Sequence, residues 1–262
     1  MKSLMLFING QLGINVLKHV ILDSDTLITA IVINKKHKRA LDYQSQIIEV
    51  LSPVSERVVI LESSEDLWKQ ANFMQALTKS NIGVSALFGH LIPEQVIRHF
   101  GGNLFNLHPS LLPYGRGADP IAWSIIEDNP VGVSLHQIDR EIDSGEVISQ
   151  IEIPYSFDNT SGDLYETAMQ QLLKLFVQFY SSPHQFIPKH VAHKAGTFHR
   201  TSELNEIRAT LLQGDPNLER NLRVIQALSF NNGSGARVKL RNGETWRVKI
   251  NATREMDEEN HG

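Results

Sequence analysis

Cysteine is absent from the 262 residues, which excludes disulfides, a thiol nucleophile and thiolate metal sites together and fits a reducing cytoplasm. Apolar runs are all far shorter than the roughly 20 residues a membrane-spanning helix needs. Leu4 to Ile8, after Met1-Lys2-Ser3, imitate the start of a signal peptide. Polar Asn9-Gly10-Gln11 cuts them off and no small-residue cleavage site follows, so they read as a first strand. A surplus of one charge is missing too: 25 Lys plus Arg against 29 Asp plus Glu leave −4. A nucleic-acid partner would therefore need a local basic face. No internal repeat is visible. The length suffices for one α/β domain and a small appendage, not for two full domains.

What is there alternates. Leu4 to Ile8, the Asn9-Gly10-Gln11-Leu12-Gly13 turn, and Ile14, Leu17 and Ile21 at helical spacing spell strand, glycine turn and helix. Gly10 and Gly13 suit either a phosphate approach or a tight turn, because a third glycine and a phosphate-loop lysine are both missing. Leu27 to Ile33 is a second strand, followed by the basic run 35–39, read as a solvated loop or helix start. A helix through Tyr43 to Leu51, a strand Val58 to Leu61, a helix capped by Ser63 to Asp66 and a strand Ile82 to Phe88 follow. Pro93 starts the next helix. The pattern predicts an α/β fold with a Rossmann-like, doubly wound, mostly parallel sheet. Gly132 to Ile138 reads as a half-buried strand pairing with Val147 to Ile153. Asp163 to Tyr180 reads as a long helix whose stripe is Leu164, Ala168, Leu172, Leu175, Phe176 and Phe179. Ser181-Ser182-Pro183 breaks the chain, giving a catalytic domain 1–183, a small α+β piece 184–253 and a disordered tail 254–262. The small piece holds an extended Gly196 to Arg200, a helix Ser202 to Leu212 and a helix capped by Asp215-Pro216 carrying Leu218, Leu222, Ile225 and Leu228. It ends in a β-hairpin around Asn242-Gly243.

The chemistry concentrates between Gly102 and Gly145. Asn103 to His108 reads as a buried strand that ends in polar groups and is stopped by Pro109 and Pro113, so Asn106 and His108 arrive at its carboxyl end. In parallel sheets that is where ligands bind. Asp139 to Gly145 is an acidic turn able to return a carboxylate to the same place. Asn, His and Asp suffice for acyl chemistry without a covalent nucleophile. Each alone is equally a cap or turn residue.

The block Asn106-Leu107-His108-Pro109-Ser110-Leu111-Leu112-Pro113, with Gly115 to Pro120 behind it and Asp143-Ser144-Gly145 downstream, resembles the 10-formyltetrahydrofolate-dependent formyltransferases. The resemblance implies that Asn106 and His108 stabilise the formyl oxygen. It implies that Asp143 keeps His108 charged and helps take the proton of an attacking amine. The cosubstrate is then 10-formyltetrahydrofolate, with no metal required. By the same resemblance the folate pocket is lined by Phe88, His90, Leu91, Ile92, His136, Asp139 and Ile142. His190, His193 and His199 read as solvated loop histidines and not a metal cluster, since no acid stands at ligand spacing.

The acceptor separates the branches of this family. Residues 186–262 hold 12 Lys plus Arg against 9 Asp plus Glu, too small a surplus for strong tRNA backbone binding. The chain also continues some eighty residues past the long helix, where the glycinamide ribonucleotide enzymes end. It is most similar to the nucleotide-sugar N-formyltransferases, in Arg116 to Pro120 with Trp123 behind, in Gly196 to His199, and in Gln226 to Phe230 leading to the hairpin. It departs from them at Phe230-Asn231-Asn232, where that branch has Phe-Pro-Pro. That branch implies sugar or nucleotide contacts at Asn9, Gly10, Gln11, Arg116, Gly117, Phe198, Phe230 and Trp246. It also implies a homodimer without nucleic-acid or membrane partners, serving cell-surface polysaccharide such as lipopolysaccharide O-antigen. Methionyl-tRNA and glycinamide ribonucleotide remain alternative acceptors, and a non-catalytic folate or nucleotide-sugar binding protein is the alternative of another class.

Overall fold

The computed structural model describes residues 2–34, 45–50, 52, 58–61, 67–182, 196–209, 217–230, 235–239 and 243–251. β1 (Lys2–Ile8) leads through Asn9 into α1 (Gly10–Ile21), β2 (Thr26–Asn34) lies beside β1, and β3 (Val58–Leu61) beside β2. α2 (Ala71–Thr78), β4 (Ile82–Ala86), α3 (Glu94–Phe100) and β5 (Leu104–His108) carry the chain to the other side of β1. These five strands are all parallel, the outcome expected when helices supply the crossovers. Short β6 (Arg116–Gly117) and α4 (Pro120–Glu127) then precede β7 (Gly132–Gln137), antiparallel to β5, and β8 (Val147–Glu152), antiparallel to β7. The order β3-β2-β1-β4-β5-β7-β8 is the doubly wound, mostly parallel sheet that the alternation predicts.

Both faces of the sheet are covered, so its central strands are apolar throughout. Met5 and Phe7 join Trp68, Phe73, Phe88 and Phe100 on one side, while Leu4, Leu6 and Ile8 meet α1 and α5 (Ser161–Ser181) on the other. A capping box opens α5: the Thr160 hydroxyl accepts from the Asp163 N–H at 3.3 Å, and the Asp163 carboxylate accepts from the Thr160 N–H at 2.9 Å. The stripe Leu164, Ala168, Leu172, Leu175, Phe176 and Phe179 is buried as its spacing predicts. At about 1.5–3 kcal/mol for each large side chain removed from water, packing far outweighs helix propensity there.

β9 (Phe198–His199) pairs parallel with β6, and α6 (Thr201–Ala209), α7 (Leu218–Ala227) and the antiparallel hairpin β10 (Ala236–Lys239) and β11 (Thr245–Val248) follow. The described part of 184–253 shares the large core, because Leu204, Val224, Ala227, Leu228 and Ala236 belong to the same cluster as Leu172 and Phe176. Polar bonds reinforce the junction: the Ser161 hydroxyl donates to the Ala227 carbonyl at 2.6 Å and the Gly162 N–H to the Ser229 carbonyl at 3.1 Å.

Two expectations change. α7 is capped by Asn217, whose side chain accepts from the Arg220 N–H at 2.9 Å, and Leu218 is 70% exposed because the helix buries Val224 and Ala227 instead. β7 is buried on both faces, not half-buried, since its polar side chains point into protein. The basic run 35–39, Ser63 to Asp66, the break at Pro183, His190, His193, Asp215-Pro216, Asn231-Asn232, Asn242 and the tail 254–262 lie outside the described residues. Among the described residues no helix is long and apolar enough to cross a membrane.

Candidate active site

The site is built on the β5–β7 register. Asn106 and His108 are two residues apart and share a face. The antiparallel pairing places His136 opposite Asn106 and Ser134 opposite His108. Ser134 and Gln150 secure the loop that follows β5. The Ser134 hydroxyl donates to the Ser110 carbonyl at 2.7 Å and accepts from the Leu112 N–H at 3.1 Å, while the Gln150 amide donates to the Leu112 carbonyl at 2.8 Å. The loop thereby turns back to present Gly115, whose carbonyl accepts from His108 Nε2–H at 2.9 Å.

Asp143 approaches from the turn after β7 in a left-handed conformation, φ 51°, that Asp tolerates better than most residues. Gly145 permits the turn, since a Cβ there would collide with the Gln137 carbonyl. Asp143 Oδ2 accepts from the Gly117 N–H at 2.9 Å. Its Oδ1 accepts from the Asn106 amide at 3.4 Å and stands 3.5 Å from His136 Nε2 and 3.7 Å from His108 Nδ1. Asn106, His108 and Asp143 are thus brought together at the carboxyl edge of the sheet, as expected.

Burial pushes the His108 imidazole below its ordinary value, against the opposing pull of the Asp143 charge and the Gly115 carbonyl. That qualifies the expectation that Asp143 keeps this ring charged: its charge pulls in that direction, but in the free protein desolvation is the larger influence. Burial would raise the Asp143 carboxyl, but the neighbouring His108 and His136 and the Gly117 N–H together hold it well below the usual carboxylate range. His136 Nδ1 lies 2.7 Å from the Gln137 carbonyl and so carries a proton, while its Nε2 stands 3.2 Å from the Asn106 amide and 3.5 Å from Asp143 Oδ1. An ionised carboxylate, a proton-sharing imidazole and an amide at one spot can stabilise charge on an acyl oxygen and move a proton off an attacking nitrogen.

Other expected contacts fare unevenly. His136 is 1% exposed, so its ring belongs to the buried cluster with Asn106 and Asp143 and not to an open pocket wall. Phe88 is likewise core, edge-on to Phe7 and His90. Asn9 is 2% exposed and its amide donates to the Phe88 carbonyl at 2.6 Å, tying β1 to the exit of β4 instead of facing a ligand. Gly10 is buried beside it, whereas Gln11 is exposed and bonds Asn15 at 3.0 Å. Ile92 is half-buried against the second core cluster and Asp139 caps the Arg140 N–H at 2.7 Å. Leu91 and Ile142 are exposed apolar side chains on loops joined by the Arg140–Glu94 ion pair at 2.5 Å. Arg116 and Gly117 lie beside Asp143, with the Arg116 guanidinium 5.8 Å over the ring of exposed Phe198. Phe230 and Trp246 are engaged within the hairpin region: the Phe230 carbonyl accepts from Lys249 at 3.2 Å and the Trp246 indole donates to Glu244 at 3.1 Å.

Sequence reasoning missed Ser134, Gln150 and the strap formed by Thr197 and His199. Polar residues at alternate positions of an otherwise apolar strand were the available signal for Ser134. His199 is no solvated loop histidine: its side chain is 15% exposed and bonded to Glu127 and Glu203, the latter four residues on.

A family model described as formyl transferase matches residues 7–179. A methionyl-tRNA formyltransferase of Synechococcus sp. (strain CC9902) is 34% identical over 100 residues, 38% of this chain and 30% of the relative. One from Bacteroides fragilis is 42% identical over 89 residues, 33% of this chain and 27% of the relative. The chain thus spans about a third of these curated relatives' length. Among solved structures, a sugar N-formyltransferase from Shewanella sp FDAARGOS_354 superposes with a TM-score of 0.76 at 19% identity, over 98% of this chain and all of that one. The formyltransferase PseJ from Anoxybacillus kamchatkensis, in complex with UDP-4,6-dideoxy-4-formamido-L-AltNAc and tetrahydrofolate, gives 0.56 at 24% identity over 82% and 93%. A phosphoribosylglycinamide formyltransferase from Streptococcus pneumoniae TIGR4 gives 0.55 at 19% over 70% and 99%. At these identities the superpositions speak to fold.

Proposed function

Because the chain belongs to the formyl transferase family, we propose that it moves a formyl group from 10-formyltetrahydrofolate to the primary amine of a nucleotide-linked amino dideoxy sugar. The observation that carries the reading is the convergence of Asn106, His108 and Asp143, with Asp143 Oδ1 within 3.7 Å of both other groups. The amine lone pair attacks the formyl carbon, a C–N bond forms, and the carbonyl π pair moves to oxygen. Asn106 can turn an N–H to that oxygen, and His108, whose Nε2–H is held by the Gly115 carbonyl, acts on it through charge once the ring takes up a proton beside Asp143 in the complex. The inward contacts of the Asn106 amide at 3.2 and 3.4 Å are long enough to yield one N–H to it in the complex. One good donor of this kind lowers the barrier by about 3–4 kcal/mol. Asp143 accepts the amine's proton, directly or through water. The bond to N10 of the folate then breaks, N10 takes a proton from His108, and the proton held by Asp143 restores the imidazolium.

The apolar faces of Leu91 and Ile142 suit the flat rings of the folate. Arg116, whose buried Nε has no partner among the described residues, suits a nucleotide phosphate beside Phe198. The sugar acceptor is favoured because the Shewanella sugar enzyme superposes over 98% of the chain, while the purine enzyme covers 70% of it. The test incubates purified protein and 10-formyltetrahydrofolate with nucleotide-linked 3-amino and 4-amino sugars, glycinamide ribonucleotide and methionyl-tRNA, and follows the formylated product by mass. Formylation of nucleotide sugars alone is expected. Turnover of either other amine instead, or binding of donor and sugar without product, overturns the reading.

A further inference from the structure

The loop from Gly115 to Ala118 is hydrogen-bonded along both edges. Its inner edge holds the catalytic groups, with the Gly115 carbonyl on His108 at 2.9 Å and the Gly117 N–H on Asp143 at 2.9 Å. Its outer edge is strapped to 197–199. The Gly115 N–H donates to the Thr197 hydroxyl at 2.9 Å, the Arg116 N–H to the Thr197 carbonyl at 3.0 Å, and the Ala118 N–H to the His199 carbonyl at 2.9 Å. Gly117 is pressed so closely on this strap that a Cβ would strike the His199 carbonyl. Two residues of parallel pairing are too little to hold a strand by themselves, and the fixing point is a side chain. His199 stacks flat on Trp123, with centroids 3.7 Å apart and planes 7° apart, and its two ring nitrogens lie 2.7 Å from Glu127 and 2.7 Å from Glu203. Carboxylates only accept, so the clasp uses an N–H at each end of the ring. The Asn129 amide donates to the other oxygen of Glu127 at 2.8 Å, fixing that partner in turn.

We propose that His199 is a positioning residue for formyl transfer: by pinning the strap to α4 and α6 it sets the loop backbone that aims Asp143 and His108. The inference rests on formyl transfer at this site but not on which amine accepts. Misplacing reacting groups by about 1 Å costs on the order of 100-fold in rate. His199→Phe keeps the stack on Trp123 and removes both clasping bonds. It is expected to lower kcat about 100-fold while leaving KM for 10-formyltetrahydrofolate within about twofold. A second readout needs no acceptor. In protein carrying 13C-labelled carboxyl groups, Asp143 titrates at higher pH in His199→Phe than in the parent, because Gly117 no longer donates to it. His199→Gln, which can still donate to one carboxylate, is expected to fall between and serves if His199→Phe does not fold. Parent-like kcat in the variant that folds overturns the proposal. So does a loss of kcat with Asp143 titrating as in the parent, since that marks His199 as a contributor to stability alone. If the parent turns over none of the proposed sugars yet Asp143 shifts in the variant, the choice of acceptor fails and the positioning role stands.

Discussion

Replacing Asp143 by Asn removes one negative charge without changing the outline of the side chain. The lost attraction between the carboxylate and a protonated His108 at 3.7 Å is about 4 kcal/mol at the effective dielectric appropriate to protein sites. Hydrogen bonding is disrupted as well. Oδ2 accepts from Gly117 and Oδ1 from Asn106, so the new amide keeps the Gly117 bond only by turning its NH2 towards the Asn106 amide. Catalysis that depends on the charged imidazole should therefore fall by about three orders of magnitude in kcat. Stability should fall as well, because the surroundings that depress the Asp143 carboxyl favour its charged form, and the melt separates that loss from the loss in kcat. The assay is steady-state release of tetrahydrofolate with the acceptor the parent turns over, beside a thermal melt of both proteins. A kcat within tenfold of the parent, with an intact fold, would refute the assignment of Asp143 as the charge partner of His108.

Asn106→Ala should cost about 100- to 1000-fold in kcat with folate affinity retained, measured by the same assay and by fluorescence titration of the donor. Stability should decline on acidification in two stages. His108, depressed in the folded state, lets the unfolded chain take up its proton first as pH falls below about 6.5, and Asp143 gives up its contribution only below about 4. Urea midpoints across pH should show the first stage flattened in His108→Gln; an unchanged profile there would contradict the buried, depressed imidazole. Gly145→Ala should lower both melting temperature and kcat, because its methyl meets the Gln137 backbone carbonyl and the Asp143 turn must move. A variant as active and stable as the parent would show that the turn has slack.

The fold was legible because the apolar periods are clean. Met5 and Phe7 against Leu4 and Leu6 announce a strand buried on both faces, and the stripe of α5 needs nothing beyond its spacing. The site was legible where chemistry concentrates in sequence, at Asn106, His108 and Asp143. It failed where polarity was taken as a sign of water. Ser134 and His136 gave β7 its alternation, yet they point at the loop after β5 and at Asn106 and Asp143, and Asn9 has its donor turned inward on Phe88. The backbone bonds of Gly115 and Gly117 to His108 and Asp143 showed in the sequence only as glycines, which signal a positive φ or a close approach and not the partner. The partnership of His199 with Glu127 spans 72 residues and depends on a helix packing that no local pattern encodes.

Residues 197–199 are made long after the sheet that bears Asn106, His108 and Asp143. A nascent chain can thus assemble its scaffold while the loop at 115–118 still has one bare edge. If the strap sets the site as proposed, chemical competence awaits the docking of residues 197–199, and donor binding and turnover become separable milestones in biosynthesis. A ribosome-stalled fragment ending before Gly196 is where the two would first come apart.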